Sequence, residues 1–355
     1  MRYRKAGHSD LQLSQLGLGC WALGGGSYWG ESSPQEEKKL LHTAYDLGIN
    51  YFDTAELYYD GKSETALGHA IKELPRNRIV IGSKLFPTNA YKDKAIDHCE
   101  ATLRRLDTDY LDIYMLHWPI NSRSISVFTD DESLAEHPPK VEETVSDLLK
   151  LRDQGKILHI GVSNFGKHWM QEFERNNIQI TVNQLPYNAF SRAIEYEVLP
   201  YCVQAGSGII GYSVLMQGVL TDRYQSLDEM PAHYCRTRHF NHKRSPQSRH
   251  GESGCEEELN IARGKMQIIA RDQGLSMSQL SINWAIRNKA ITSVLVGTRN
   301  PERLKENAAG AAKSLSEEVY QAVNEITRPI KEIMGPQIDY YESPSNDRTI
   351  FSQSR

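Results

Sequence analysis

Short runs of β-branched and aliphatic residues alternate along the chain with longer stretches whose apolar positions recur at helical spacing. The short runs are typical of buried strands, and strands that alternate with helices indicate repeated βα units around a parallel sheet. Eight parallel strands with intervening helices favour closure into a barrel. The predicted fold class is therefore an α/β protein with a (β/α)8, or TIM, barrel, whose strands are expected at residues 16–19, 50–53, 79–84, 111–117, 157–162, 180–184, 209–213 and 293–296.

Local signals mark the starts of helices and of a terminal hairpin. Ser33 is followed by Pro34, and Asn300 by Pro301, as expected of an N-cap residue and the first residue of a helix. We expect the chain before the first strand to form a β-hairpin at the bottom of the barrel, with its two strands at residues 2–5 and 11–14.

Two segments are longer than regular βα spacing requires, namely 120–140 after the fourth strand and 221–255 after the seventh. Loops that follow strands lie at the C-terminal face of such a barrel, where substrates bind. We therefore expect these two loops to form a substrate lid or an oligomer contact. The chain is interpreted as one barrel domain over residues 1–328 and a C-terminal tail over residues 329–355, which either covers the active site or is disordered.

Composition excludes several classes of protein. A formal net charge of −4 and a pI near 6.3 provide no basic face for a nucleic acid, so none is expected as a partner. The uncharged stretch between Glu197 and Asp222 is interrupted by proline and glycine, so no membrane association is expected. The five scattered cysteines indicate reduced thiols, and the start lacks a secretory signal, so we expect a cytoplasmic protein.

Three consecutive predicted strands each end in a titratable residue: Asp53, Lys84 and His117, with Tyr58 in the loop that leaves the second strand. Each residue alone has a structural interpretation, since ion pairs and buried histidines often serve only the fold. Together they suit the reduction of a carbonyl group, which needs a proton donor near the oxygen. A phenol is too weak an acid for this role unless a neighbouring cation stabilises its anion.

These residues lie within a series of motifs that resembles the aldo-keto reductase family over most of the chain, and most closely the branch that includes potassium-channel β-subunit-like reductases. The series is stronger than any single motif because all of its members occur in the family's order. It consists of Asp53-Thr-Ala-x-x-Tyr58, Gly82-Ser-Lys84, Leu116-His-Trp-Pro119, Gly161-Val-Ser-Asn-Phe165, Asn183-Gln-x-Pro-Tyr-Asn188, Tyr212-Ser-x-Leu215 and Gly297-Thr-Arg-Asn-Pro-Glu-Arg303.

The resemblance implies a catalytic role for each of the four residues. Tyr58 would protonate the carbonyl oxygen as hydride reaches the carbon, and Lys84 would lower the pKa of this tyrosine. Asp53 would hold the lysine by an ion pair, while His117 would orient the carbonyl and help to pass the proton. The substrate, a small carbonyl compound or alcohol, would contact Tyr58 and His117 together with Tyr28, Trp29 and Trp118.

The resemblance also implies a nicotinamide cofactor. Tyr212 would stack on the nicotinamide, and its carboxamide would bond to Ser163, Asn164 and Gln184. The phosphates would be held by the loop after the seventh strand and by free amides at the helix that begins at Pro301. The remaining cofactor contacts would be Gly19, Cys20, Trp21, Asp53, Ser213, Val214, Leu215, Gln217, Gly218, Leu220, Arg223, Tyr234, Arg236, Gly297, Thr298, Arg299, Arg303, Glu306 and Asn307.

The arginines at positions 299 and 303 are suited to a 2′-phosphate, so NADPH is predicted as the cofactor, with NADH as the alternative. A second basic segment, residues 236–250, contains five Arg or Lys residues and no acid. It would attract an anionic substrate or the cofactor phosphates, although such a run is more often a solvated surface.

Other site types fit the sequence less well. Gly17-Leu-Gly-Cys-Trp-Ala22 matches the glycine pattern of a Rossmann fold, but no helix starts there and no acidic residue follows at the required spacing. The histidines do not occur at metal-ligand spacings, so no metal is expected.

Two functions remain open: an NADPH-dependent reductase of an aldehyde or ketone, including a sugar-like one, and a cofactor-binding regulatory subunit with little turnover. The sequence does not identify the substrate. It is compatible with a homo-oligomer but does not specify the oligomeric state.

Overall fold

Eight parallel strands form the centre of the fold and close on themselves in the order β10-β3-β4-β5-β6-β7-β8-β9. The computed structural model describes residues 1–26 and 29–350. Each strand lies within two residues of its predicted bounds, so the predicted barrel is confirmed. The strands are β3 (Leu16–Gly19), β4 (Tyr51–Asp53), β5 (Val80–Leu85), β6 (Leu111–Leu116), β7 (Ile157–Ser163), β8 (Val182–Pro186), β9 (Gly208–Tyr212) and β10 (Ile291–Val296).

The bottom of the barrel is filled by the N-terminal hairpin, as the sequence predicts. Its strands β1 (Tyr3–Lys5) and β2 (Gln12–Ser14) pair antiparallel. Arg4 holds the hairpin in place, because its guanidinium donates hydrogen bonds to the carbonyls of Ile286 and Asn288 at 2.7 and 2.9 Å. The hairpin also contributes to a small apolar cluster inside the barrel, formed by Ala6, Leu13, Tyr51, Val80, Ile113, Met115, Val182, Ile210 and Leu295.

Helices surround the barrel and bury their apolar faces against the strands. The first helix begins where the sequence predicts: Ser33 is the N-cap, Pro34 is the first helical residue, and Glu36 completes a capping box. The helices are α1 (Pro34–Asp46), α2 (Lys62–Ile71), α3 (Lys94–Leu106), α4 (Ser122–Ser126), α5 (Glu132–Glu136), α6 (Val141–Asp153), α7 (Lys167–Glu174), α8 (Val198–Ala205), α9 (Glu256–Asp272), α10 (Met277–Arg287), α11 (Pro301–Ala312) and α12 (Glu317–Met334).

Both long loops lie at the C-terminal ends of the strands. The loop after β6 contains the short helices α4 and α5, whereas the loop after β9 is built from turns and short 3-10 segments. Across residues 1–26 and 29–350, none of the helices is both long enough and apolar enough to cross a membrane.

The last helix differs from the predicted division of the chain. The expected boundary at residue 329 falls inside α12, which continues through Pro329 to Met334. A proline here removes one backbone hydrogen bond, but the helix continues because Val323, Ile330 and Met334 are buried on one of its faces. The segment that leaves the helical layer therefore begins at Gly335.

Residues 335–350 pack over the C-terminal face of the barrel. Arg348 and Asp339 form a buried two-point ion pair, with Nε and Nη2 at 2.7 and 2.9 Å from the carboxylate oxygens. The segment is joined to the loop after β6 by Asn121, which donates to the Arg348 carbonyl, and to α7 by Trp169, which donates to the Ile350 carbonyl.

We expect Asp339→Ala to release this segment, because Arg348 would remain buried without its partner at a cost of about 3–5 kcal/mol. Hydrogen exchange measured by mass spectrometry should become faster in residues 335–350 and stay unchanged in the barrel strands. Glu325→Ala, which breaks an exposed ion pair with Arg328, is the control and should change little. Unchanged exchange in the Asp339 variant would contradict this account of the tail.

Candidate active site

A cleft of about 1330 Å³ opens at the C-terminal ends of the barrel strands. Its walls come from the loops after β3, β6 and β9, from the start of α11 and from the C-terminal segment. Asp53, Tyr58 and His117 line its floor. The cleft is therefore where the side chains predicted at three strand ends meet.

Lys84 is the centre of this floor, and its side chain is fully buried. The ammonium Nζ donates to Asp53 Oδ2 at 2.7 Å and to the Thr54 carbonyl at 2.8 Å. The Tyr58 hydroxyl lies 3.4 Å from the same nitrogen. The predicted lysine, aspartate and tyrosine therefore form one connected group.

Asp53 is also held by neighbours on other strands. Its second carboxylate oxygen, Oδ1, accepts hydrogen bonds from Gln184 Nε2 at 2.6 Å and from the Tyr51 hydroxyl at 3.0 Å. The carboxylate is thus bonded from β4, β5 and β8. A buried charge that is paired and fully hydrogen-bonded in this way retains its position.

The pKa values in this group follow from burial and from the ion pair. Burial disfavours the charge on Lys84, but Asp53 and Tyr58 outweigh it and hold the pKa of the lysine above its ordinary value. Burial raises the pKa of Tyr58 above its ordinary value, and the charge of Lys84 only partly opposes this shift. The sequence predicted the lysine's effect but not the larger effect of burial, so the phenol is neutral at physiological pH.

His117 faces the same space as Tyr58. Its ring centroid lies 5.8 Å from that of Tyr58 and 5.8 Å from that of Phe86, in edge-on arrangements. Burial, assisted by the charge of Lys84, lowers the pKa of His117 well below its ordinary value. Its Nδ1 atom has no hydrogen-bond partner in the described part of the chain. The imidazole is therefore neutral.

Beyond the catalytic candidates, Ser163, Asn164, Gln184 and Tyr212 form a polar wall at the ends of β7, β8 and β9. The Tyr212 hydroxyl donates to Asn164 Oδ1 at 2.8 Å, and Asn164 Nδ2 donates to the His117 carbonyl at 3.1 Å. Asn164 has a φ of 63°, a left-handed conformation that asparagine tolerates. These bonds fix the side chains of Tyr212 and Asn164, which the sequence predicts to contact a nicotinamide.

A second wall follows β9. Ser213, Gln217 and Gly218 all have positive φ values of 55°, 52° and 104°, which turn the loop along the cleft. This wall contains most of the residues predicted from the sequence for the loop: Ser213, Val214, Leu215, Gln217, Gly218, Arg223, Tyr234 and Arg236.

The opposite end of the cleft is formed by the start of α11. Gly297, Thr298, Arg299, Arg303, Glu306 and Asn307 line it, together with Gly19 and Trp21. The expected free amides are not there, which corrects the prediction: the Asn300 side chain caps the N–H groups of Glu302 and Arg303. Arg299 also differs from expectation, because its guanidinium donates to the carbonyls of Gly30 and Glu31.

The side chains of two predicted cofactor contacts do not reach the cleft. Cys20 and Leu220 are both fully buried in the hydrophobic core and do not line the cleft. Their amide groups are used as well, since Cys20 N–H donates to the Asp53 carbonyl and Leu220 N–H to the Leu215 carbonyl. Tyr28, a predicted substrate contact, lies outside the described residues.

Aromatic side chains surround the floor of the cleft. The rings of Trp21 and Trp29 are in edge contact at 5.4 Å, and Trp21 lies 6.1 Å from Tyr58. Trp29 reaches across to Tyr234 of the loop after β9, with 6.4 Å between ring centroids. Trp118 closes the other side.

Further lining residues were not predicted. Some of them belong to the two long loops and the C-terminal segment, which the sequence predicts to lie near the cleft. No motif in those segments identifies the individual residues. The unpredicted lining residues include Leu57, Phe128, Thr221, Asp222, Arg249, Ser276, Ser278, Tyr341 and Arg348. Within residues 1–26 and 29–350, no group of three or more His, Cys, Asp or Glu side chains is arranged to hold a metal ion.

Residues 15–328 match the model of the Aldo/keto reductase family. The chain is 40% identical over 212 residues to the methylglyoxal reductase YeaE of Escherichia coli, a match that covers 59% of this chain and 66%, slightly under two thirds, of that protein. It is 29% identical over 322 residues to a probable voltage-gated potassium channel subunit beta of rice, Oryza sativa, over 86% of this chain and 90% of that protein.

Among solved structures, the chain is similar to an aldo/keto reductase from Klebsiella pneumoniae that was crystallised with NADP and acetate. The two share 28% sequence identity and a TM-score of 0.68, over 91% of this chain and 95% of that one.

Proposed function

Since the chain belongs to the aldo/keto reductase family, we propose that it uses NADPH to reduce an aldehyde or ketone to an alcohol, with Tyr58 as the proton donor. The observation that carries this proposal is the contact of 3.4 Å between the Tyr58 hydroxyl and the buried Lys84 ammonium at the floor of the cleft. It gives a neutral phenol a cation that stabilises the phenolate formed when the proton leaves.

The reduction adds one hydride and one proton to the carbonyl group. Tyr212, Ser163, Asn164 and Gln184 would hold a reduced nicotinamide, which would supply the hydride when bound. Tyr58 gives its hydroxyl proton to the carbonyl oxygen, and Lys84 stabilises the resulting phenolate until a proton is regained from solvent. Asp53 keeps the ammonium of Lys84 protonated and aimed at the tyrosine, since it lies 2.7 Å from that nitrogen.

His117 contributes as a neutral hydrogen-bond donor. An imidazolium would add a second positive charge beside Lys84, and burial prevents this. The neutral ring, in edge contact with Tyr58, is placed to orient a carbonyl oxygen between the two side chains. This division of roles leaves the proton transfer to the tyrosine.

The cleft has the features that a dinucleotide requires. Tyr212 offers an aromatic face, and Ser163, Asn164 and Gln184 offer amide and hydroxyl partners for a carboxamide. Gly19 and Gly297 form a cradle between β3 and β10, where an added Cβ would approach protein atoms no closer than 3.7 Å and 3.9 Å. The glycines thus leave room at the cleft wall that larger side chains would fill.

The choice of NADPH rests on the arginines at the start of α11. Arg303 is exposed at the rim of the cleft, where a guanidinium can bind a 2′-phosphate. Arg299 holds the loop after β3 through two backbone carbonyls and so contributes to the shape of this end of the cleft. The NADP in the Klebsiella pneumoniae structure supports the same choice.

The proposed substrates are small carbonyl compounds. The aromatic residues Trp21, Trp29 and Trp118 enclose the floor, and the relative from Escherichia coli is a methylglyoxal reductase. The relative named as a channel subunit supports a second candidate, a regulatory protein that holds the cofactor with little turnover. Oxidation of NADPH with a panel of aldehydes, including methylglyoxal and sugars, separates the two functions.

We expect Tyr58→Phe to reduce the rate of carbonyl reduction by about 10²- to 10⁴-fold, because no other group near the oxygen can give the proton as readily. NADPH binding, followed by fluorescence, should be retained. Tyr45→Phe on α1, remote from the cleft, is the control. Tight cofactor binding without turnover in the unmodified protein would favour the regulatory candidate instead.

The two directions of the reaction should depend on pH in opposite ways. Reduction needs the protonated phenol, and the raised pKa of Tyr58 keeps it protonated through the neutral range. Oxidation of the alcohol needs the phenolate, so its rate should rise with pH.

Lys84→Met removes the charge that opposes the rise in the pKa of Tyr58, so it should move the oxidation profile to still higher pH. Lys38→Met, which breaks the exposed ion pair with Glu73, is the control and should leave the profile in place. A profile that moves to lower pH in the Lys84 variant would contradict the role assigned to this lysine.

Gly297→Val should weaken NADPH binding by at least about tenfold, because the side chain would occupy the cradle at the cleft wall. The free energy of unfolding should change little, since the position has a negative φ and open space on the cleft side. Gly264→Val on the exposed side of α9 is the matched control for adding a branched residue. Unchanged NADPH affinity in the Gly297 variant would argue against the proposed cofactor path.

A further inference from the structure

Three arginines lie together at the end of the cleft covered by the C-terminal segment. Arg236 comes from the loop after β9, Arg249 from the end of the same loop, and Arg348 from the C-terminal segment, and all line the cleft with Tyr341. We call these four residues the arginine cluster. Neither the proposed carbonyl chemistry nor the proposed cofactor contacts require Arg249, Arg348 or Tyr341.

Arg348 is placed against the wall of the substrate pocket. Its guanidinium carbon lies 3.7 Å from the centre of the Trp118 ring, and Trp118 directly follows His117 in the chain. The Asp339 carboxylate accepts hydrogen bonds from Nε and Nη2 of this guanidinium. The pair to Asp339 does not use Nη1, the third nitrogen of the fork.

Arg249 and Arg348 share one carboxylate. Glu342 Oε1 lies 2.5 Å from Arg249 Nε and 4.0 Å from Arg348 Nε, so the two guanidinium groups are held close together. Glu342 is 1% exposed and does not line the cleft, whereas the Arg249 side chain is 42% exposed. Arg348 is only 1% exposed, so Arg249 is the member of this pair whose side chain is accessible from the cleft, with Glu342 supporting it from the protein side.

Tyr341 joins Arg236 to the other two arginines. The Arg236 guanidinium carbon lies 5.8 Å from the centre of the Tyr341 ring. Burial raises the pKa of Tyr341, while Arg236, Arg348 and Arg249 all oppose that shift, as expected of three cations near one hydroxyl. Tyr341 and Arg348 also influence the pKa of Tyr212, so the cluster borders the wall on which the nicotinamide is proposed to stack.

Most of the carboxylates that line the cleft come from elements that follow β3 and β10. Apart from Asp53, which is paired with Lys84, the lining carboxylates described are Glu31, Glu36, Glu37, Asp222 and Glu306. They belong to the loop after β3, to α1, to the start of the loop after β9 and to α11. The C-terminal segment instead contacts the loop after β6 and α7. Asp339 and Glu342, the carboxylates paired with Arg348 and Arg249, do not line the cleft, so the charged groups that the cluster presents to it are guanidinium groups.

From this arrangement we infer that the arginine cluster is a subsite for a carboxylate on the substrate, so that the protein prefers aldehydes or ketones that carry a carboxylate group. This inference rests on the proposed reductase function and specifies its substrate class. Guanidinium groups bind carboxylates through paired, charge-assisted hydrogen bonds. The proposed site of the cofactor's 2′-phosphate is Arg303 on α11, which follows β10, whereas Arg348 packs on Trp118 after β6. Strands β6 and β10 are opposite each other in the barrel order, so that phosphate does not account for Arg348.

The test compares two substrates of the same shape, para-carboxybenzaldehyde and its uncharged amide para-formylbenzamide. The unmodified protein should show a kcat/KM for the acid at least about tenfold above that for the amide, through a lower KM. Added salt should lower this ratio, because the attraction is between charges.

Two substitutions should change the ratio of kcat/KM for the acid to kcat/KM for the amide in opposite directions. Arg249→Gln should lower it several-fold, whereas Glu342→Gln should raise it, because it removes the negative charge that the two arginines share. Lys243→Gln removes one positive charge from an exposed position in the same loop and should leave the ratio unchanged. If Arg249 and Glu342 had only a structural role, both variants would have a lower kcat/KM with both substrates.

The outcomes distinguish failure of the carboxylate subsite from failure of the proposed reductase function. Equal kcat/KM for the acid and the amide, or a salt-independent ratio, would overturn the subsite and leave the reductase function standing. A rise in the NADPH dissociation constant of Arg249→Gln with an unchanged ratio would also overturn it, and would assign the cluster to the cofactor. Absence of turnover with both substrates would overturn the proposed function itself, and the subsite with it.

Discussion

The buried ion pair between Lys84 and Asp53 is the interaction on which the site depends. Neither charge could be buried alone, since an isolated ion in the interior costs several kcal/mol. Each is satisfied by several partners, so the pair links strands β4, β5 and β8 into one rigid floor. Tyr58 lies in the loop above that floor, and the strands fix the position of the ammonium that it contacts.

The parallel register of the barrel explains why these residues meet. Asp53 pairs with Gly82 across β4 and β5, which leaves Lys84 two residues nearer the C-terminal face. Two residues along a strand return the side chain to the same face of the sheet. A lysine long enough to reach back can therefore bind both the aspartate and the tyrosine in the loop above it. The glycine opposite Asp53 makes room for Tyr51, whose hydroxyl would lie 2.8 Å from a Cβ added at Gly82.

The strand pattern was sufficient to predict the barrel and to place Asp53, Lys84 and His117 at strand ends. The sequence-based predictions differ from the structure at positions where the direction of a side chain, or a local helix cap, determines whether a residue can reach the cleft. Cys20 follows Gly19 in a motif that borders the cleft, yet its own side chain turns into the core. The start of α11 has the sequence of a phosphate-binding helix, but Asn300 folds back on its amides. Arg348 could not be predicted, because its carbonyl bonds to Asn121, 227 positions earlier in the sequence.

Reaction chemistry and substrate choice are built from different parts of this chain. The proposed proton donor lies in the loop after β4, and the ion pair beneath it belongs to strands β4 and β5, whose register fixes it. The walls that a substrate touches come from the loops after β3, β6 and β9 and from the C-terminal segment, each anchored by bonds of its own. A change in the Arg348 and Asp339 pair would therefore alter the walls while the floor keeps its geometry. This separation is a physical reason why one barrel can serve many carbonyl substrates with the same four catalytic candidates.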